Sequence, residues 1–472
     1  MKTHIWNDHI LLAAFCLMAF GVLFVSCSKD SFITSPDAQL YTSADTIAFD
    51  TVFTTIGSVT KSFKIFNDND QKLLLSKVAL SGGASSSFHL NIDGVSSNQV
   101  ENIELKANDS MYVFVQVNID PNAENKPFVI RDSIEIAFNG KKRFVQLQAY
   151  GQNAVFLNKK IIRGIENWTS ALPYVILGSL QVDTNALLNI EAGTKIYLHA
   201  NAPFLVDGTL SALGSNDARI LFSGDRMDEV YKDLPASWPG IYFRNTSENN
   251  VMEYAIIKNA YQGIIAQERS TTSNPKLTLS KCIVDNIYDA GILGINTEIY
   301  ADNCLISNCG SNLMLAYGGD YQFTFCTVVT YGNSFINHKN PVLQLSDFIS
   351  SNGINYTAPL KAIFTNSIFW GENGIVENEI SVMKKGSNLF DVKFDHVLYK
   401  AKDEVSNATF NASIKNINPG FDSVNTSRKI YDFRLSKNPG SPALNSGVPT
   451  SFLYDLNGKL RDATPDIGCY EN

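Results

Sequence analysis

Two charged residues have the types and spacing that acid–base chemistry on a polysaccharide requires. Lys258 and Asp285 fall at the same place in two successive repeats of the chain. A lyase needs a positioned base such as Lys, whereas a hydrolase needs two carboxyl groups ~5–5.5 Å or ~6.5–9.5 Å apart. We therefore consider Lys258 and Asp285 as catalytic candidates. The alternative is a surface salt bridge between neighbouring repeats.

A short acidic segment could hold a cation. Four carboxylates lie within residues 224–235, and carboxylate oxygens are ligands that Ca²⁺ prefers. The alternative is an acidic loop that is simply solvated. No motif requires a cofactor, and the scattered histidines and absent Cys-x-x-Cys argue against zinc, so Ca²⁺ is the cofactor that the sequence suggests. The four candidates are Asp225, Asp228, Glu229 and Asp233.

Aromatic residues are concentrated in residues 317–370, where they could bind carbohydrate. Four of them fall at loop or outward positions, and large amphipathic rings favour interfaces. The alternative is that they pack back onto their own domain. These four are Tyr317, Tyr331, Tyr356 and Trp370.

The composition excludes several classes of protein. The chain has 472 residues, a formal net charge of −8, 18% charged residues and 11% aromatic residues. Low charge and many aromatics are typical of folded domains, and the absence of a basic stretch argues against nucleic acid as a partner. A negative net charge also disfavours strongly anionic glycans unless Ca²⁺ intervenes.

The elements that must position these side chains repeat about every 22 residues. One column of the repeat is Ala255, Cys282, Cys304, Cys326, Phe348 and Ser367, with steps of 27, 22, 22, 22 and 19 residues. Such a period predicts a solenoid with one coil per repeat, each strand lying ~4.8 Å above its predecessor. We interpret Cys282, Cys304 and Cys326 as small buried residues in a stack rather than metal or redox ligands. A second column predicts an internal amide ladder at a bend: Asn259, Asn286, Asn308 and Asn352.

An outward column of the same repeat is unexpectedly apolar. Five of its six members are large aliphatic residues, and an exposed strip of that length would be an interface or a liability. We predict that another segment of the chain covers it; the alternative is a partner protein. The column is Ile256, Ile283, Leu305, Thr327, Ile349 and Ile368.

Residues 38–152 alternate strand patterns with turns. Examples are the strand patterns of residues 111–117 and 133–138, the latter leading into the hairpin signal Asn139-Gly140. About seven short strands in this length fit an antiparallel β-sandwich. The pattern resembles the immunoglobulin-like modules of bacterial surface proteins.

Residues 155–415 have a different texture, with short strands between glycine turns and no helical periodicity. The segments 188–198 (LNIEAGTKIYL) and 238–243 (WPGIYF) resemble the opening turns of right-handed parallel β-helix proteins of the pectate-lyase-like superfamily. That resemblance implies an all-β fold in which a β-helix follows the sandwich. The sequence lacks the Asp-Asp, His-Gly, Arg-Ile-Lys and Trp-Ile-Asp-His signatures of the polygalacturonases and pectate lyases in that superfamily, which argues against enzymatic activity.

Residues 416–472 are expected to form a closing coil and cap. The segments 431–435 (YDFRL) and 466–471 (DIGCYE) resemble the ending of many bacterial β-helix surface proteins. A solenoid must protect the strand edges of its last coil. We interpret Asp455, Arg461, Asp466 and Glu471 as capping contacts between an arginine and carboxylates.

The amino terminus carries an apolar run, residues 10–25, that is too short for a comfortable membrane span but suits a signal peptide. Val25-Ser26-Cys27 and the polar residues after it resemble a bacterial lipobox. The resemblance implies a signal peptide of residues 1–26, acylation of Cys27 by fatty acids such as palmitate, and a tether of residues 27–37. It also implies a lipid-anchored protein of the outer membrane, exposed on the cell surface.

Together these features predict a membrane-anchored surface protein that binds an extracellular polysaccharide or a surface protein along the flank of its β-helix. One alternative is a polysaccharide lyase or glycoside hydrolase that uses Lys258 and Asp285 or the loop 224–235. Another is a structural subunit of a surface complex, held through the apolar strip.

Overall fold

The computed structural model describes residues 31–54, 57–121, 128–229 and 231–472 and is all-β. The chain divides into two compact units, Met1–Gln152 and Asn153–Asn472. Within the described residues, no helix has the length and apolar character needed to cross a membrane. The predicted signal peptide and Cys27 lie outside the described residues. Of the predicted tether, Ile33 donates its backbone N–H to the Lys72 carbonyl oxygen at 2.8 Å.

The first unit consists of two five-stranded sheets around one apolar core. Their orders are β1-β3-β8-β5-β6 and β2-β10-β9-β4-β7, and among the described strands all pairs are antiparallel except β2 with β10. Strand β8 shows why these sequences form strands, because Met111, Val113 and Val115 point into the core while Tyr112 and Phe114 alternate outward. The strands are β1 (Leu40–Thr42), β2 (Thr46–Phe53), β3 (Lys61–Asn67), β4 (Leu73–Leu80), β5 (Phe88–Ile92), β6 (Val95–Ser96), β7 (Gln99–Leu105), β8 (Asp109–Val117), β9 (Phe128–Phe138) and β10 (Lys141–Gln152), with a 3₁₀ turn at Gly83–Ser85.

The second unit is built mainly from parallel strands, most of which pair with a strand two, three or five places further along the chain. Strand β18 pairs with β21, and β21 pairs with β24, so the backbone returns to the same sheet once per coil. This arrangement is consistent with a β-helix. The strands are β11 (Val155–Ile162), β12 (Ile165–Trp168), β13 (Tyr174–Val182), β14 (Leu187–Glu191), β15 (Lys195–Leu198), β16 (Phe204–Val206), β17 (Thr209–Leu213), β18 (Ile220–Gly224), β19 (Ile241–Phe243), β20 (Asn250–Glu253), β21 (Ala255–Lys258), β22 (Ile264–Gln267), β23 (Leu277–Ser280), β24 (Ile283–Asp285), β25 (Ala290–Asp302), β26 (Leu305–Ser307), β27 (Ser311–Thr324), β28 (Thr327–Thr330), β29 (Leu343–Ser346), β30 (Phe348–Ser351), β31 (Ile354–Thr357), β32 (Leu360–Thr365), β33 (Ile368–Gly371), β34 (Ile380–Met383), β35 (Phe390–Asp395), β36 (Leu398–Tyr399), β37 (Thr409–Asn411), β38 (Ile414–Lys415), β39 (Phe421–Asn425) and β40 (Ile430–Leu435), with a 3₁₀ turn at Thr426–Arg428.

The register stacks equivalent residues of successive coils. Ile256 lies beside Ile283, Ile283 beside Leu305, and Leu305 beside Thr327. The residues immediately before them face inward and are fully buried: Ala255, Cys282, Cys304 and Cys326.

The repeat departs from the predicted columns at one insertion. The residue that stacks on Thr327 in the next coil is Ile368, and not Ile349 as the period predicts. Strands β30 and β31 form an antiparallel hairpin between these coils, so Phe348, Ile349 and Asn352 do not belong to the columns assigned to them. The physical reason is the Asn352-Gly353 turn, whose positive φ angles of 49° and 75° suit a two-residue hairpin.

The outward apolar strip is covered by the carboxyl-terminal segment of the same chain. Leu305 and Ile368 pack with Phe433, Leu456 and Ile467 in a buried cluster of their own. The carboxyl-terminal segment thus covers Leu305 and Ile368 fully, whereas Ile256 and Ile283 are partly exposed.

Hydrogen bonds attach the same segment to several coils. The backbone N–H of Cys469 donates to Thr327 Oγ1 at 3.0 Å, and that of Gly468 donates to the Asn366 carbonyl oxygen at 2.8 Å. Arg219, which belongs to an earlier coil, donates to the Leu456 carbonyl oxygen of this segment. The segment predicted to cap the end of the solenoid therefore lies along its side.

Candidate functional site

The two catalytic candidates lie side by side where parallel strands β21 and β24 end. Lys258 is the register partner of Asp285, and both line a cleft of about 180 Å³, which we name the Asp285 cleft. The volume is below the ~300–1,000 Å³ of pockets for drug-sized ligands, so the cleft suits one small ring or polar group. Its lining residues are Asp233, Lys258, Asn259, Asp285, Asn286, Asn308, Asn333, Ser334, Phe335, Thr426, Lys429 and Tyr431.

The electrostatics of the cleft centre on Asp285. Burial raises the pKa of the Asp285 carboxyl, opposed by hydrogen bonds from Ser307 and Asn308 and by the charge of Lys258. Ser307 Oγ donates to Asp285 Oδ1 at 2.6 Å, which fixes the orientation of the carboxyl group. Within the part of the chain that the structure describes, the Lys258 ammonium group makes no hydrogen bond or ion pair, so it is available to a ligand.

One wall of the cleft is a chain of side-chain amides. Asn286 Nδ2 donates to Asn259 Oδ1 at 2.8 Å, and Asn333 Nδ2 donates to Asn286 Oδ1 at 2.9 Å. Asn259, Asn286 and Asn308 all have positive φ angles of 51–62°, which Asn tolerates better than most residues. The amides hold the bend between β-strands in successive coils. Asn352, predicted for the same ladder, is an exposed turn residue of the β30–β31 hairpin.

Two other walls come from segments outside the repeat. Lys429, from the carboxyl-terminal segment, forms an ion pair with Asp233 at 3.5 Å. Tyr431 Oη donates to the Gly332 carbonyl oxygen at 3.2 Å, and burial raises the pKa of the Tyr431 phenol. Phe335, which is 41% exposed, contributes an aromatic surface. Sequence reasoning missed Asn333, Phe335, Lys429 and Tyr431 because none of them occupies a repeat column.

The four acidic candidates for a cation site are not brought together. Asp225 contacts His199 Nδ1 at 2.7 Å, Asp228 pairs with Arg226 at 2.8 Å, and Glu229 pairs with Lys232 at 2.8 Å. Asp233 lines the Asp285 cleft instead. In residues 31–54, 57–121, 128–229 and 231–472, no three His, Cys, Asp or Glu side chains converge as metal ligands.

The four aromatic candidates do not form one surface. Trp370 is buried and Tyr331 half-buried in the cluster under the carboxyl-terminal segment, where Tyr331 contacts Phe433 with ring centroids 5.9 Å apart. Tyr356 is 48% exposed on the β30–β31 hairpin. Tyr317 has a positive φ of 59° at an irregularity in strand β27. Tyr331 and Trp370 therefore pack back onto their own domain.

The cysteines of the described residues are all free and buried. Burial raises the pKa of the Cys282 and Cys304 thiols well above its usual value. Their sulfurs contact carbonyl oxygens of adjacent residues or coils, for example Cys304 Sγ with the Asp302 carbonyl oxygen at 3.2 Å. Protonated thiols in this setting are packing residues. Cys309 and Cys469 are among them and are not bonded to each other.

Comparison with known proteins identifies no family. No family model matches the sequence, and no curated protein matches it. Solved structures with local similarity include a family 123 glycoside hydrolase from Clostridium perfringens (TM-score 0.18, 9% identity), the VesB protease of Vibrio cholerae (0.18, 13%) and a PapD-like domain of human CEP192 (0.17, 14%). They cover 24%, 24% and 27% of this chain and 26%, 32% and 94% of their own. The chain thus spans about a third or less of the first two, and such scores support no conclusion about fold or activity.

Proposed function

We propose that the protein is a lipid-anchored surface protein of the outer membrane that binds an extracellular glycan in the Asp285 cleft. In this proposal Cys27 carries the acyl chains, the first unit is an immunoglobulin-like module, and the second is a right-handed parallel β-helix. Two or more acyl chains supply stable anchoring, since each buried CH₂ contributes ~0.8 kcal/mol. The observation that carries the binding proposal is the set of polar groups that converge in one cleft of about 180 Å³.

The chemistry of the lining suits a sugar better than an apolar ligand. A sugar ring offers hydroxyl groups that both donate and accept hydrogen bonds. The Lys258 ammonium group can donate to such hydroxyls, and the Asp285 carboxyl can accept from them. Phe335 supplies the apolar surface on which the faces of sugar rings pack.

Binding is tested with the soluble form, residues 28–472, on a panel of immobilised neutral and acidic polysaccharides. We expect retention on at least one glycan and a loss of roughly ten-fold or more in affinity for Asp285→Ala, because removing one hydrogen-bonded charged partner typically changes binding by ~2–5 kcal/mol. The matched control is Asp391→Ala, a half-exposed carboxylate that pairs with Lys393. No retention on any glycan, or unchanged binding by Asp285→Ala, would overturn the proposal.

A second function is favoured by one observation in the same cleft. Asp285 has a raised pKa, Lys258 is its register partner, and Asp233 lines the same space. A carboxyl group with a raised pKa is suited to donate a proton to a leaving group. This arrangement supports a glycoside hydrolase or lyase that uses Asp285 as an acid or Lys258 as a base.

Catalysis is tested by incubating the soluble form with the same panel. Reducing ends would report hydrolysis, and ultraviolet absorbance of unsaturated uronates would report elimination. The enzyme proposal expects product from the wild-type protein and none from Asp285→Asn. Retention on a glycan without product would contradict it and leave binding as the function.

The anchor has a separate test in the full chain. Cys27→Ser is expected to move the protein from the membrane fraction to the soluble fraction, because serine lacks the thiol that is acylated. Ser28→Ala is the matched control and is expected to stay membrane-bound. Membrane association of Cys27→Ser would contradict the proposed anchor.

A further inference from the structure

Two stacked tyrosines lie on the outside of the solenoid, in the same two coils as Asn259 and Asn286 of the Asp285 cleft. Tyr261 and Tyr288 are 46% and 52% exposed, and their ring centroids are 5.7 Å apart with planes inclined by 24°. Tyr261 follows Asn259 by two residues, and Tyr288 follows Asn286 by two. Each tyrosine is therefore close along the chain to an asparagine of the cleft wall. The apolar strip of the same solenoid is covered by the carboxyl-terminal segment, whereas these two rings are left exposed. An exposed aromatic patch of this kind is informative, because such patches mark binding sites.

Backbone hydrogen bonds show which residues occupy the equivalent position in the neighbouring coils. The N–H of Tyr261 donates to the Trp238 carbonyl oxygen, that of Tyr288 to Ala260, and that of Gly310 to Ile287, at 2.7, 3.0 and 3.0 Å. In each case the acceptor is the carbonyl oxygen of the residue that immediately precedes the equivalent residue of the preceding coil. The equivalent residues are Pro239, Tyr261, Tyr288 and Gly310.

Gly310 leaves one side of the Tyr288 ring uncovered. Tyr261 stacks on one face of Tyr288, whereas the next coil supplies a residue with no side chain. A Cβ atom at Gly310 would lie 2.3 Å from the Tyr288 carbonyl oxygen, so the close approach of the two coils requires glycine there. Beyond it, exposed Asn340 donates Nδ2 to the Gly310 carbonyl oxygen at 3.0 Å. The Tyr288 ring is therefore not stacked by a side chain from the next coil and stays 52% exposed, while Asn340 is held at the adjacent Gly310.

We infer that Tyr288, Gly310 and Asn340 form a second sugar subsite, which binds a neutral pyranose ring of an oligosaccharide whose neighbouring ring fills the Asp285 cleft. This inference rests on the proposed glycan-binding function. Aromatic rings provide a flat apolar face for the axial hydrogens of a sugar, and the Asn340 amide can bond its hydroxyls. Tyr288 follows Asn286 by two residues, so their Cα atoms are at most ~7 Å apart, a separation that adjacent rings of one oligosaccharide can span.

The charges near Tyr288 favour a neutral sugar. Asp289, next to Tyr288, accepts a hydrogen bond from Gln262 Nε2 at 2.8 Å, and its partner is therefore an uncharged amide. Among the residues that the structure describes, Asp289 has no ion-pair partner, and such a carboxylate repels a sugar that carries a carboxylate or sulfate group. The class of ligand that fits both subsites is a linear oligosaccharide of neutral pyranoses.

The test is calorimetric titration of the soluble form with di- to hexasaccharides of cellulose, xylan and mannan, with oligogalacturonates as the acidic arm. We expect affinity to rise from the disaccharide to longer neutral chains. Tyr288→Ala is expected to weaken the longer chains roughly three- to ten-fold, in line with the strength of aromatic contacts, and to change the disaccharide little. Tyr288→Phe is expected to bind as the wild type. Tyr454→Ala, which removes an exposed tyrosine of the carboxyl-terminal segment, is the matched control.

The outcomes separate this inference from the function on which it rests. Binding that depends on Asp285 but does not change in Tyr288→Ala would overturn the subsite alone. Equal losses for disaccharide and hexasaccharide would also overturn it, because the ring would then belong to the first subsite. Tighter binding of oligogalacturonates would contradict the neutral class. If no glycan binds at all, the proposed function fails together with the subsite.

Discussion

At the scale of single residues, burial decides which charged side chains stabilise the fold and which remain available for binding. Arg461 and Glu471 are both buried and form an ion pair at 3.1 Å. Arg461 also donates to Asn303 Oδ1 at 2.7 Å and lies 3.7 Å from the Phe325 ring centroid, so it joins the carboxyl-terminal segment to a coil. Asp455 and Asp466 instead accept backbone hydrogen bonds within that segment, from Lys459 and Asn445 respectively.

Arg461→Met is expected to lower the free energy of unfolding by about 3–5 kcal/mol. The substitution leaves the Glu471 carboxylate buried without its cationic partner, which is the costly way to break such a pair. Urea unfolding followed by circular dichroism measures the change. Arg434→Met, which removes an exposed partner of Asp432, should change stability by no more than about 1 kcal/mol. Equal effects for the two arginines would contradict the role assigned to Arg461.

Asp285 predicts a pH dependence of stability. Its pKa is raised in the folded protein above the ordinary 3.8, so between 3.8 and the raised pKa the folded state binds more protons than the unfolded state. The contribution of this group to the free energy of unfolding therefore falls as pH rises from about 3.8 through the raised pKa. Asp285→Asn should remove this fall and be relatively more stable than wild type at neutral pH. Parallel stability curves for the two proteins from acid to neutral pH would contradict the prediction.

At the scale of elements, the coils tolerate an insertion because each strand needs only its two neighbours in the stack. Strand β27 pairs with β29 and with β32, and β28 pairs with β33, so the solenoid continues on both sides of the β30–β31 hairpin. The hairpin exposes Ile349, Ile354 and Tyr356 and buries little. It is an appendage to the coil rather than one of its strands.

Replacing residues 349–356 by a short glycine-serine linker should leave the solenoid folded. We expect a change in the free energy of unfolding within about 1 kcal/mol, because exposed residues contribute little. Circular dichroism and thermal unfolding measure the outcome. Replacing Ile306 by Ala, inside the core of strand β26, is the contrasting control and should cost about 2–5 kcal/mol. Loss of cooperative unfolding on removing the hairpin would show that it is part of the coil.

At the scale of the whole second unit, the return of the carboxyl-terminal segment along the coils serves two purposes. It covers the apolar strip, and it supplies Lys429 and Tyr431 to the Asp285 cleft. The strip and the site therefore depend on the same packing. The hydrogen bond between Arg219 and Leu456, which are 237 residues apart in the sequence, joins an early coil to the carboxyl-terminal segment.

Truncation after Lys415 is expected to expose the strip and open the cleft. The exposed cluster should bind a hydrophobic dye and promote aggregation, because it forms a continuous apolar surface. Analytical size exclusion and dye fluorescence measure this, and glycan affinity should fall as the Lys429 and Tyr431 wall is lost. Truncation of the last residue, Asn472, is the control. A monodisperse truncated protein without dye binding would show that the strip is covered in another way.

The sequence by itself determined the elements that depend on local pattern and on stacking of like with like. Alternation at Met111–Val117 predicts an all-β first unit, and the 22-residue period predicts the inward cysteines and the aliphatic strip, because side chains in parallel coils meet their equivalents. The period fails at Phe348, since the coil between Thr327 and Ile368 is about twice the usual length and a step of 22 residues falls in the hairpin that it carries.

Only the tertiary structure decided what surrounds the site. Lys258 and Asp285 could be paired from the repeat, because their neighbourhood is set by register. Lys429, Tyr431 and Phe335 could not, because they come from segments that obey no period and reach the cleft by long-range packing. The same packing buried Trp370 and brought Lys429 to Asp233. Asp225 contacts His199, and Asp228 and Glu229 pair with Arg226 and Lys232 of their own loop, so the four carboxylates do not converge. A repeat specifies neighbours within the stack, whereas the return of the chain along its side is fixed by apolar burial.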